Sequence, residues 1–248
     1  MLPMIRPLSA EERKHIGSTW AYRTETEAKA HLRFSSLAQA LRVHGSTPDV
    51  IQLCHQAADN CQRHAKLCSR VALEFGIRPR VDNVNRPGPL APADLSVDRK
   101  VLYEVVAVAC VNEAMNGAIL IQTYQRARWP SIKLAARTIL DEKLQPSRFG
   151  WAHLDAIQAH VDFRWITNYL IPMMDAMGVD ALVDAAASSP RKSPLEMYGE
   201  LSDAERIEIF GDVMLGVVLP GFATRGIHTK TAAQWLSARL GHPDDSGV

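Results

Sequence analysis

Along most of the chain apolar residues recur at intervals of three and four, with Ala, Leu, Arg, Gln and Glu filling the positions between. That period belongs to amphipathic helices, and no stretch alternates with the period of two that a strand requires. Ser9-Ala10-Glu11-Glu12 has the form of a capping box and predicts a short helix, followed by a longer one from about Thr19 to His44. Gly45-Ser46-Thr47-Pro48 then supplies a stop, a cap and a proline suited to a first helical turn. Helix two ends near Gly76. From Ile77 to Leu95 the periodicity lapses, and Pro79, Pro87, Pro89 and Pro92 predict an extended connection. Helix three follows Ser96 and runs to about Arg128, and the break at Trp129-Pro130 opens helix four.

Short, long and short connections in this order predict a four-helix bundle. A long link can cross the length of the bundle and leave helices two and three parallel. Residues 1–160 are expected to form this bundle with its short N-terminal helix, and 161–248 a helical extension packed on it. The extension comprises an apolar segment from Trp165 to Met177, a Ser/Pro-rich joint from Ser188 to Pro194, a helix capped by Ser202-Asp203-Ala204-Glu205, and a last helix from Thr229 to Leu240.

Composition narrows the field. The 248 residues carry 28 Lys+Arg against 27 Asp+Glu, a net charge of +1 that offers no basic stripe for nucleic acid. No run approaches the roughly 18 unbroken apolar residues of a membrane helix, and the N-terminus lacks the order of a signal peptide, so a cytoplasmic protein is expected. The four cysteines form no Cys-x-x-Cys pair and are too few for a disulfide scaffold. The patterns His-Glu-x-x-His, Gly-x-Ser-x-Gly, Gly-x-Gly-x-x-Gly and the P-loop are absent, which removes the usual anchors of zincins, hydrolases and nucleotide-binding enzymes.

Carboxylate-bridged two-metal sites in bundles take a Glu from each of two helices and a Glu-x-x-His pair from each of the others. Residues at i and i+3 share a helix face, and a carboxylate can bridge two cations while offsetting their charge. Against this template helix one offers Glu27, helix two Cys61-Gln62-Arg63-His64, helix three Glu113, and helix four Glu142-Lys143-Leu144-Gln145. The candidate metal ligands are therefore Glu27, His64, Glu113 and Glu142, with Cys61 and Gln145 at replaced ligand positions. Pro146 removes the amide that would serve the Glu142 carbonyl, a disruption that costs a helix interior about 3 kcal/mol.

These residues resemble those of bacterial ferritin-like domain proteins. The spacing from Glu27 to Gly45 and from Gly45 to Cys61 fits, and Asn60-Cys61-Gln62-Arg63-His64-Ala65 stands where the family has Asp-Glu-x-x-His-Ala. Cys110-Val111-Asn112-Glu113 is similar to the third-helix run, and Asp141-Glu142-Lys143-Leu144-Gln145 with Trp151 to the family's Asp-Glu-x-x-His and following Trp. Pro220-Gly221-Phe222 and Gly226-Ile227-His228-Thr229 are similar to the tail of some members. The resemblance implies an all-α ferritin-like fold with one half-site kept, built on Glu27, His64 and Glu142, and the other reduced to Glu113 and Gln145. It also implies that Asp141 supports His64 from behind, and that Asn60 faces Gln145 where the family has an Asp–His pair.

Two functional classes follow. One is a metal-dependent oxidase or oxygenase whose iron or manganese activates dioxygen against a small substrate; the other is a metal-free binding or structural module, since one bundle serves many functions. The protein is expected as a monomer or small homo-oligomer. Cys54, Cys61 and Cys68 lie seven apart on one helix face, which also permits a Cu(I) or zinc site at Cys61 and His64, or simply small apolar core residues. The remaining histidines share no template, the Trp and Met residues read as core, and the charge runs Glu11 to Lys14 and Asp203 to Glu208 read as solvated faces.

Overall fold

A computed structural model describes residues 7–81, 85, 87–143 and 147–241 of the chain. The described protein is all-α, 75 % helical and without strands. Its helices are α1 (Ala10–Val43), α2 (Pro48–Glu74), α3 (Val97–Glu104), α4 (Glu113–Arg126), α5 (Pro130–Lys143), α6 (Ser147–Ile157), α7 (Leu170–Asp175), α8 (Val179–Ser188), α9 (Asp203–Val213), α10 (Leu219–Ala223) and α11 (Lys230–Arg239). π-helical stretches, Val105–Asn112 and Met214–Val218, join α3 to α4 and α9 to α10. Short 3-10 turns occupy Arg164–Tyr169 and Glu196–Tyr198.

The chain divides into two compact units that interleave in sequence. Unit 1 holds Met1–Asp94, Leu120–Pro146 and Pro194–Glu200; unit 2 holds Leu95–Ile119, Ser147–Ser193 and Leu201–Val248.

Unit 1 is organised by the antiparallel pair α1 and α2. Cys54 donates its thiol hydrogen to the Phe34 carbonyl, His31 Nδ1 lies 2.9 Å from the Ala58 carbonyl oxygen, and Gly17 abuts Phe75 and Ile77. These pairs recede from the intervening turn at an equal pace on both strands of the hairpin. Both helices end in the same way. Ser46 N–H reaches the Leu41 carbonyl and Ile77 N–H the Ala72 carbonyl, each across a glycine of positive φ, Gly45 at 73° and Gly76 at 83°. This is the Schellman arrangement, which satisfies carbonyls that a helix end otherwise orphans. Along α2 the buried residues Val50, Cys54, Ala57, Cys61, His64, Cys68 and Val71 step by four and three, a continuous seam facing α1. α5 packs on α2 through Ile132, Ala135, Ala136 and Ile139. Phe75, Trp129 and Tyr198 meet ring against ring beneath them, and Trp129 Nε1 donates to Glu74 at 2.7 Å.

The N-terminal expectation needs correction, because α1 runs unbroken from Ala10. The Ser9 capping box is present, with Glu12 N–H on Ser9 Oγ at 3.1 Å and Ser9 N–H on Glu12 Oε2 at 2.9 Å. Gly17 does not interrupt the helix, since its bare Cα lets Phe75 and Ile77 approach; a Cβ there would sit 2.6 Å from Ile77 Cγ1. Packing overrides the local propensity of Gly17-Ser18-Thr19.

In unit 2, α6 packs on the π-helical stretch, with Gly150 against Ala109 and Cys110. Trp151 meets Phe222 at a tilt and lies beneath the Arg225 guanidinium, which Asp155 holds through both oxygens at 2.7 and 2.9 Å. The expected capping box at Ser202 is formed, with Glu205 N–H on Ser202 Oγ at 3.2 Å. Glu205 is thereby buried and not solvated as the charge run suggested, and α8 lies where no helix was expected. The helical run Val97–Arg126 is long and apolar enough by length and composition to cross a membrane, with mean hydropathy 1.5 over its best window; half of that window is buried in the protein. A test for unbroken apolar runs passes over it, because Asn112, Glu113 and Asn116 interrupt the apolar sequence.

Candidate metal centre

The α1–α2 hairpin sets the site. On α1 the buried stripe turns polar at Thr24, and Glu27 follows three residues later with a side chain 14 % exposed. On α2 the seam brings His64 and Cys61, one turn apart, to the same level. Among the described residues, Glu27, Cys61 and His64 form a convergent group of metal-binding side chains, with ligand atoms all within 4.8 Å of one another.

Glu142, near the end of α5, completes the group. His64 Nδ1 lies 3.4 Å from Glu27 Oε2, and Nε2 lies 3.2 Å from Glu142 Oε2. The imidazole is 1 % exposed, yet neither nitrogen, nor Glu27 Oε2, has a hydrogen bond of good alignment. A neutral imidazole has one N–H and one lone pair, so with carboxylates on both sides a lone pair must face an acceptor. Either a second proton on the ring or a cation among these atoms removes that conflict.

Cations of the protein flank the carboxylates. Arg63 Nε approaches Glu142 Oε2 at 3.3 Å, and Lys143 Nζ approaches Glu27 Oε1 at 3.4 Å. Burial acts to raise the Glu27 pKa, but the Lys143 ammonium and His64 outweigh it and hold the carboxyl at about 2. Glu27 is thus a full negative charge within the fold.

Asn60 has partners that the sequence did not suggest. Its amide donates to the Glu142 carbonyl at 2.9 Å, and its side-chain oxygen accepts from Arg63 Nη2. The Glu142 carbonyl lies in the last turn of α5, where a helix leaves its carbonyls without intrahelical donors, and Asn60 provides one. Aspartate at this position would offer only acceptors. The amide ties α2 to the residue that carries the Glu142 carboxylate.

Asp141 also differs from expectation. Its side chain is 68 % exposed and pairs with Arg137 one turn back at 3.8 Å, while the two nitrogens of His64 face Glu27 and Glu142. Glu113 is buried at the start of α4 and belongs to unit 2. Gln145 lies outside the described residues. Of the thiols, Cys54 and Cys68 are pushed up to about 12 by burial, and Cys110 is raised further for the same reason; all behave as small apolar core residues.

Lys143 and Arg63 were not among the sequence candidates. Arg63 sits at an unassigned position of the helix-two motif, and nothing in its spacing marks it. Lys143 does carry a signal, because Ile132, Ala135, Ala136, Ile139 and Lys143 share the buried face of α5. A lysine continuing an apolar stripe has to find a partner inside. Compared with models of protein families, with curated proteins and with solved structures, the chain matches none of them.

Proposed function

We propose that this protein is a ferritin-like metal-dependent oxidase or oxygenase whose di-metal site is reduced to a single ion, held in unit 1 by Glu27, His64, Cys61 and Glu142. The observation that carries the reading is the buried imidazole of His64, both of whose nitrogens face carboxylate oxygens without a hydrogen bond of good alignment. A buried ring whose lone pair is turned toward an acid is costly, and a cation among these atoms removes that cost. Supporting the ferritin-like part are the short, long and short connections, from Val43 to Pro48, Glu74 to Val97 and Arg126 to Pro130, together with the motif positions of Glu27, His64 and Glu142.

Two carboxylates and one imidazole suit non-haem iron, and a thiolate donor favours iron over manganese. Iron supplies one-electron chemistry with dioxygen when bound. The chain's own contributions are separable: Glu27 and His64 bind, Cys61 adds a softer donor once deprotonated, and Asn60 with Arg63 fixes the main chain and carboxylate of Glu142. The proposal does not use Glu113.

A second reading rests on the flanking cations. With Lys143 on Glu27 and Arg63 on Glu142, the acidic charges already have partners, as a metal-free binding or structural module would require. Metal analysis of protein expressed with iron and manganese separates the readings. About one ion per chain, with iron preferred and oxygen uptake dependent on it, is expected for the first; an empty protein under saturating metal overturns it.

A further inference from the structure

The two oxygens of Glu27 are engaged on different sides. Oε2 faces His64 Nδ1 at 3.4 Å, while Oε1 faces Lys143 Nζ at the same distance. Lys143 is no surface residue folded inward for convenience, because its side chain is 8 % exposed and continues the apolar face of α5 after Ile139. A buried ammonium is tolerated where an acid meets it, and the acid here is the one that also faces the imidazole. In a two-metal site a shared carboxylate offers one oxygen to each of two cations. Glu27 has that arrangement, with an ammonium on one oxygen.

We propose that Lys143 is a built-in second cation of the site: by holding the Glu27 oxygen turned away from His64, it restricts the cluster to one metal ion and weakens the grip on that ion. The inference rests on reading the cluster as a cation site, but not on iron being the occupant. Glu142 and the Arg63 guanidinium bound to it also face the group, and Arg23 lies one turn before Glu27 on α1, while Lys143 Nζ is the cation 3.4 Å from Glu27 Oε1. Restoring carboxylate and histidine at Cys61 and Gln145 should therefore fail to recruit a second ion while Lys143 remains.

The test uses chelator-treated full-length protein titrated with Mn(II), which does not oxidise during the measurement. Lys143→Met should bind Mn(II) about tenfold more tightly than the unmodified protein, and Lys143→Arg should bind about as weakly. Equal or weaker binding by a folded Lys143→Met variant overturns the proposal. Should removal of the ammonium compromise folding, a urea-denaturation cycle of Lys143→Met, Glu27→Gln and the double variant decides. Coupling of about tenfold in the folding equilibrium supports it, and additivity overturns it. Binding by Lys143→Met alone would uphold the inference while removing the metal-enzyme reading of the natural chain. Binding by neither protein would overturn the inference together with that reading.

Discussion

Among the described residues two histidines are buried, one in each unit, and their surroundings differ in kind. His64 in unit 1 stands between the carboxylates of Glu27 and Glu142, with Cys61 one turn away. His153 in unit 2, on α6, is also buried with an unpaired Nδ1, but it belongs to no convergent donor group among the described residues. Burial alone pushes His153 below its ordinary value of 6.5. An orphaned ring nitrogen is therefore a weak sign of a ligand site. What distinguishes His64 is acid on both sides, which an apolar pocket cannot explain.

The most severe test of this contrast removes each ring in turn. His64→Ala should weaken iron or Mn(II) binding about a hundredfold or more, measured by competition with a chromogenic chelator, whereas His153→Ala should leave metal content unchanged. Equal metal loss in both variants would end the distinction. Next in size is Asn60→Asp, which sets a carboxylate against the Glu142 carbonyl in place of a donor. It should cost about 2 kcal/mol in urea denaturation, and Asn60→Ser, which keeps a hydroxyl donor, should cost less. Cys61→Ala should weaken iron binding about tenfold and move preference toward manganese, read from metal content after expression with both ions.

The smallest effect concerns His153 and is one of pH. Its folded pKa lies below the unfolded value, so under acid conditions the unfolded chain binds the proton more readily, and stability falls as pH drops below 6.5. Urea midpoints at about pH 7.5 and pH 5.5 should differ more for the natural chain than for His153→Gln. No difference between the two would show that His153 is not held neutral by burial.

Much of the helical pattern could be read from the sequence because its signals are local. The Ser9 and Ser202 boxes, the Gly45 and Gly76 stops and the seam of α2 each depend on residues within a turn or two. Glu27, His64 and Glu142 were named together because a known two-metal pattern of helical bundles places one ligand on each of their helices, not because local spacing shows three helices meeting. What escaped depends on contacts distant in sequence. The continuity of α1 through Gly17 is decided by Ile77, and the role of Asn60 by a carbonyl on α5. Lys143 is an intermediate case: its phase was available, but charge suggested solvent, and only the position of Glu27 on another helix reverses that inference. The π-helical stretch Val105–Asn112 carries no signal in hydrophobic period, because a wider winding and an α-helix present similar apolar runs when most residues are buried.

The first of those stretches, Val105–Asn112, has a bearing on how the chain can vary in length. A ring closed from i to i+5 holds one more residue than a ring closed from i to i+4, and each α-helical residue turns the chain by about 100°. Loss of one residue from α2 would swing everything beyond it, His64 included when the loss precedes it, out of the seam. Loss of one residue between 105 and 112 can be taken up by tightening to α-helical winding, which leaves the phase of Glu113 and the rest of α4 where it was. Sister sequences should thus differ by single-residue gaps here and keep α2 free of them.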